Sequence, residues 1–127
     1  MSREVAQRFI DALYKLELER DVEPIVGMYA ENAAVGNVIV PEKFKGPDGA
    51  RQFWSEYRET FGDMKSEFRN IIASEGRAAL EWTTKGTDRD GDPLQYDGVS
   101  ILEIDGDKIA RFRAYFDPSG LGRQIKD

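Results

Sequence analysis

Two absences bound the chemistry open to this chain: its 127 residues include neither histidine nor cysteine. The commonest general base and metal ligand go with histidine. Disulfides, thiolate nucleophiles and thiolate metal sites go with cysteine. Ser100 and Thr84 have no histidine to activate them, so a nucleophilic triad is excluded. Proton transfer must then fall to Asp, Glu, Tyr, Lys or bound water. Asn37 and Tyr14 are the catalytic candidates. Asn37 sits inside an apolar arm, Ala34-Val35-Gly36-Asn37-Val38-Ile39-Val40, where an unsatisfied amide is costly to bury. Tyr14, Tyr57 and Tyr96 offer hydroxyls on otherwise apolar bodies. No Gly-x-Gly-x-x-Gly loop is present to cradle a phosphate. Asp88-Arg89-Asp90-Gly91-Asp92 lacks the downstream bidentate Glu of a calcium loop and reads as a charged hairpin tip. No metal or cofactor is expected.

These residues must be positioned by the elements around them. In the last long patterned stretch, Asp105-Gly106 separates two β-rich runs and predicts a type I′ hairpin, whose central residues need positive φ. On its second strand, Ala110, Phe112, Ala114 and Phe116 share one face, and Ile109, Arg111, Arg113 and Tyr115 the other. Alternating small and aromatic side chains on the first face suit a cavity wall. Upstream, Ser2 can cap a helix striped by Val5, Phe9, Ala12, Leu13 and Leu16, with Ile10 and Tyr14 widening it. Asp21 can cap a short second helix with Pro24 in its first turn and Ile25, Met28 and Tyr29 inward. Gly46-Pro47 opens a third, carrying Ala50, Phe53, Trp54, Tyr57 and Phe61. Past Gly62-Asp63 the period becomes two, predicting strands over 65–74, 77–88, 94–104 and 108–116. Acidic-Gly pairs at 75–76, 90–91 and 105–106 separate them. Three helices before a four-stranded antiparallel meander make an α+β arrangement. Gly120 to Asp127 reads as a tail anchored by Leu121 and Ile125.

Length predicts one domain over residues 1–127. With 33% charged residues against 40% hydrophobic, the composition is that of a folded domain. A net charge of −6 argues against nucleic acid or an anionic membrane as partner. No basic-then-apolar leader pattern occurs, and no apolar run approaches ~20 residues, so a cytoplasmic protein is expected.

The element order resembles the nuclear transport factor two-like superfamily, also called the SnoaL-like or ketosteroid-isomerase-like fold. The markers are Gln7-Arg8-Phe9-Ile10-Asp11-Ala12-Leu13, Tyr29-Ala30-Glu31-Asn32-Ala33, Phe44-Lys45-Gly46-Pro47-Asp48-Gly49-Ala50 and the final strand Lys108 to Asp117. The resemblance implies a cone-shaped α+β barrel: three N-terminal helices on a curved, mainly antiparallel sheet with an internal pocket. With strand parity it turns Ser66, Phe68 and Asn70 inward, then Leu80, Trp82 and Thr84, then Tyr96, Gly98, Ser100 and Leu102. Substrate would be held by Val35, Tyr57, Phe68, Trp82, Thr84, Tyr96, Ser100, Phe112, Ala114 and Phe116.

The final strand most resembles limonene-epoxide hydrolase, but the catalytic set of that family is largely absent. Its Asn matches Asn37, while Val35, Trp82, Thr84 and Ala114 occupy the other four places. Against ketosteroid isomerase, Phe9, Asn37 and Ser100 stand where the oxyanion-hole Tyr, the base and the neutral Asp belong. Hydrolysis of terpene epoxides is therefore not expected. The resemblance implies a small-molecule enzyme of isomerase, dehydratase or cyclase type acting on a lipophilic oxygenated substrate. A non-catalytic binder of such a ligand is the alternative. The outer sheet face, part apolar and charged with both signs, is expected to form a homodimer.

Overall fold

The computed structural model describes residues 2–41 and 43–117. The expected tail, with Leu121 and Ile125, lies outside them. Helix α1 runs Ser2–Glu19 and buries Val5, Phe9, Leu13 and Leu16, with Ala6 and Ile10 beside them. The second helix shrinks to one turn, α2 (Glu23–Val26). Asp21 still accepts a hydrogen bond from the Glu23 N–H at 3.2 Å. Tyr29, expected inward on that helix, instead opens strand β1 (Tyr29–Asn37). A two-residue strand β2 (Phe44–Lys45) precedes α3 (Gly46–Glu59), with Pro47 in its first turn. Then come β3 (Phe61–Ser74), β4 (Arg77–Asp88), β5 (Pro93–Asp105) and β6 (Lys108–Phe116).

The sheet has six strands, in the order β2-β1-β6-β5-β4-β3. The expected four-stranded antiparallel meander is β3 to β6, and β2 pairs antiparallel with β1 at the far edge. The correction is β1, which pairs parallel with β6, Val35 opposite Phe112 and Asn37 opposite Ala114. A parallel neighbour leaves no hairpin signature, because the connection runs through the rest of the chain. Helix α1 packs on β3 and β4 while α3 packs on β1, closing a cone-shaped α+β fold. The rings of Phe9, Phe53, Trp54 and Phe112 meet at its centre, 5.0–6.2 Å apart.

Two local readings need correction. The turns hold Gly76 and Gly106 at φ 78° and 65°, but their other central residues, Glu75 and Asp107, are not at positive φ, so these are not type I′ turns. A β-bulge breaks the β3 register between Phe68 and Asn70. It turns Asn70 outward, where its amide bonds the Glu81 carboxylate, and brings Ile71 and Ala73 inward against the core. One extra residue inverts the parity of everything after it.

Candidate functional site

A cavity of about 260 Å³ opens between α1, α3 and the concave sheet face. Its floor is the residues that helical period puts on the inner stripes, Phe9 and Leu13 from α1 and Phe53, Trp54 and Tyr57 from α3. Phe112, Ala114 and Phe116 from β6, Ser100 and Tyr96 from β5, and Trp82 from β4 form the wall, with Phe61 and Ser66 from β3. The segment after β1 supplies the lip, where Ile39 is 58% exposed beside Val40.

Asn37 lines this lip, and its Oδ1 accepts the backbone N–H groups of Ile39 and Val40, both at 2.9 Å. An Asn oxygen satisfying the turn that follows it is an Asx motif. Its carbonyl is thus committed to the backbone, which leaves the amide NH2 as the group it can offer a ligand. The indole N–H groups are committed too: Trp82 donates to Ser100 Oγ at 2.9 Å and Trp54 to the Tyr29 hydroxyl at 3.0 Å.

Of the residues expected at the site, Asn37, Tyr57, Trp82, Tyr96, Ser100, Phe112, Ala114 and Phe116 come together around the cavity. Tyr14, Val35, Phe68 and Thr84 are not among the lining residues. Tyr14 lies one helical step round from Leu13. Its ring turns to β3, edge-on to Phe68 at 6.3 Å and beneath the Lys65 ammonium. Val35 is wholly buried in the core. Thr84 points inward but stands behind the wall, in a polar chain that composition and parity did not announce.

That chain begins at Glu17, a carboxylate in the last turn of α1 that is only 1% exposed. The Ser66 N–H donates to Glu17 Oε1 at 2.8 Å, and Ser66 Oγ donates to Oε2 at 2.6 Å. Ser66 Oγ lies 2.7 Å from Thr84 Oγ1, its cross-strand partner on the same face. Tyr57 and Tyr96 line the cavity beside this chain. The signal was present in the sequence: Glu17 follows Leu13 by four residues, so the period puts it on the buried stripe.

Burial pushes the Glu17 carboxyl above the ordinary carboxylate range, against the lowering effects of Ser66, Arg58 and Lys65. Folding therefore favours its protonated form. Its contribution to stability is present below the unfolded-state value and is lost as pH rises through the raised folded value. A group that costs the fold near neutral pH is a candidate for chemistry. Burial likewise drives Tyr57 and Tyr96 well above the usual phenol range, so both stay protonated in ordinary buffers. Arg58, buried at the end of α3, donates to the Phe61 carbonyl at 3.1 Å and places its positive charge near Glu17. Among the described residues no group of three or more Asp and Glu could hold a metal. No helix among them is long and apolar enough to cross a membrane.

A SnoaL-like domain model matches residues 6–112. No curated protein matches the chain. Among solved structures, TerC co-crystallised with polyporic acid superposes with a TM-score of 0.83 at 18% identity, over 99% of this chain and 98% of that one. An NTF2-like protein from Burkholderia pseudomallei gives 0.84 at 16% identity, over 99% and 98%. A ketosteroid-isomerase-like fold from Catenulispora acidiphila, in complex with trimethylamine, gives 0.80 at 11% identity, over 93% and 92%. At these identities the likeness shows the fold.

Proposed function

Because the chain belongs to the SnoaL-like domain family over residues 6–112, we propose that it is a small-molecule enzyme of isomerase, dehydratase or cyclase type. Its substrate is lipophilic and oxygenated. One observation carries this reading: a buried carboxylate, Glu17, is hydrogen-bonded through Ser66 to the wall of an apolar cavity. Aromatic surface supplies affinity, and Tyr57, Tyr96, Ser100 and Asn37 supply the polar contacts that orient a ligand. TerC, which shares the fold, has been co-crystallised with polyporic acid, a precedent for an organic ligand.

A binding protein without catalysis is the second reading. It is favoured by the cavity surface itself, where the lining carboxylate is Glu56, exposed on the outer turn of α3 and bonded to Gln52 at 3.1 Å. Both readings make the same first demand. Apolar burial at about 25 cal/mol per Å² is enough for micromolar binding of a single-ring ketone or terpenoid alcohol. In a thermal-shift screen, neutral ligands of this kind are expected to raise the melting temperature. Stabilisation by anionic compounds alone would overturn the reading. Product analysis on the ligands that bind then separates an enzyme from a binder.

The second copy in the proposed homodimer sits on the outer sheet face. There Arg111 pairs with Glu103 at 3.0 Å and Arg69 with Asp97 at 3.4 Å. Ile72 is 67% exposed and Tyr115 carries the Arg113 guanidinium over its ring at 5.1 Å. Both signs of charge around apolar groups make this face self-complementary under a two-fold axis. Sedimentation is expected to give a dimer at tens of micromolar; a clean monomer there would contradict it.

A further inference from the structure

Two side chains of the cavity wall make hydrogen bonds whose direction chemistry fixes. An indole N–H can only donate, so Ser100 Oγ is the acceptor of its 2.9 Å bond with Trp82. The Ser100 proton is left over, and no acceptor takes it among the described residues. Asn37 is fixed in the same way. Its contacts at 2.9 Å are with the backbone N–H groups of Ile39 and Val40, so the accepting atom is its oxygen. Its NH2 group keeps both protons, again with no acceptor among the described residues. Polar groups removed from water are nearly always paired in folded proteins. Donors left over at a cavity wall point to an acceptor that a ligand supplies.

Both donors belong to one row of the sheet. Ala114 on β6 lies opposite Asn37 on β1 and opposite Ser100 on β5. All three residues line the cavity. Strands about 4.8 Å apart put the two donor residues about 9–10 Å apart at the backbone, with only the Ala114 methyl group between them. The Phe112 and Phe116 rings stand on either side of that methyl along β6. A ligand atom over Ala114 therefore has the amide on one side and the hydroxyl on the other. Two further hydroxyls of the lining are already spent, Ser66 on Glu17 and Thr60 on the Glu56 carbonyl. Tyr96 lies four residues along β5 from Ser100, out of this row. Nothing in the row carries a charge.

From this geometry we infer that Asn37 and Ser100 form a seat for a ligand carbonyl oxygen over Ala114, with Trp82 holding Ser100 from behind. The inference rests on the reading of the cavity as a small-molecule site, and it narrows the ligand class to neutral ketones and aldehydes. A carbonyl oxygen brings two lone pairs and no proton, which matches two donors. An alcohol that donates to the Ser100 oxygen strands the Ser100 proton. Two donors on one oxygen also stabilise negative charge that develops there. Asn37 and Ser100 thus set specificity, and Trp82 is a positioning residue.

The test compares acetophenone, 1-phenylethanol and ethylbenzene, which share a shape and differ at one group. By calorimetric titration the unaltered protein should bind acetophenone about tenfold more tightly than either of the others, the scale of one or two net hydrogen bonds. Asn37→Asp keeps the turn, because a carboxylate oxygen still accepts the Ile39 and Val40 N–H groups, and it puts an acceptor where the NH2 was. The preference between ketone and alcohol should then invert. Ser100→Ala is made in a Trp82→Phe background, so that no orphaned indole N–H replaces the lost hydroxyl. Relative to Trp82→Phe alone, it should weaken acetophenone and leave ethylbenzene unchanged. Acetophenone labelled with ¹³C at the carbonyl reads the bonds directly. Its bound resonance should lie downfield of that in cyclohexane and move back when the Ser100 hydroxyl is removed. Ethylbenzene bound as tightly as acetophenone, or a ketone preference that survives both changes, would overturn the seat and leave the cavity reading standing. If none of the three compounds binds, the cavity reading falls and the seat falls with it.

Discussion

Phe112→Ala is expected to lower folding stability by about 3–5 kcal/mol, the usual cost of emptying a large buried aromatic site. Phe112 is 1% exposed, and its ring meets Phe9 at 5.5 Å, Trp54 at 5.2 Å and Phe53 at 6.2 Å. Three elements lose contact at once: α1, α3 and the centre of the sheet. Rings on a helix cannot slide into the gap without moving their backbones, so relaxation recovers little. The same ring lines the cavity, and its removal enlarges the space beside Ala114. The variant should unfold at lower denaturant with an unchanged slope and should accept a bulkier ligand than the unaltered protein. A loss under 1 kcal/mol would show that the aromatic cluster is not the keystone described here.

Gly98→Ala is the second change expected to be felt strongly, at about 1–3 kcal/mol. Gly98 lies opposite Trp82 on β4 and Phe116 on β6. A Cβ there would collide with the six-membered ring of the Trp82 indole and approach the Tyr115 carbonyl oxygen at 2.7 Å. The indole cannot swing away freely, because its N–H is held by Ser100. Trp82 would have to tilt into the cavity, so ligand affinity should fall along with stability. Trp82→Phe shortens the ring and takes away the colliding atoms. In a double-mutant cycle by denaturant titration, Gly98→Ala should therefore cost less in the Trp82→Phe background. Equal costs in both backgrounds would place the strain at the Tyr115 carbonyl instead.

Both changes touch residues that could be read from pattern alone. Phe112 and Gly98 fall on the inner face by strand alternation, and Trp82 and Ser100 follow the same rule on neighbouring strands. The register of β4 and β5 runs from Arg77 opposite Glu103 to Thr87 opposite Pro93 without a break, so parity carried through. On β3 the bulge at Arg69 carried Asn70 to the wrong face. Nothing in Glu67-Phe68-Arg69-Asn70-Ile71 marks a bulge. Its stabilising partners lie on other strands, where the Arg69 guanidinium bonds Thr83 and reaches Asp97.

Helical period and strand alternation are local, and what they govern was legible: the long helices, the inner faces of β4, β5 and β6 from Phe112 on, and most of the cavity wall. A bulge between Ile109 and Arg111 instead turns Ile109, read as outward, into the core. The absence of histidine and cysteine likewise settled by itself which acids and bases remained. What only the tertiary structure decided depends on groups far apart in the chain. Strand β1 lies beside β6, although some eighty residues separate Asn37 from Ala114. Tyr14 and Leu13 are adjacent in sequence, yet one faces Phe68 and the other the cavity. Glu17 sat in plain view on the apolar stripe of α1, but a charged residue at the end of a helix reads as solvated until a partner is known. Its partner is Ser66, 49 residues away, and only the packing of α1 on β3 removes the water that would otherwise have kept that carboxylate ordinary.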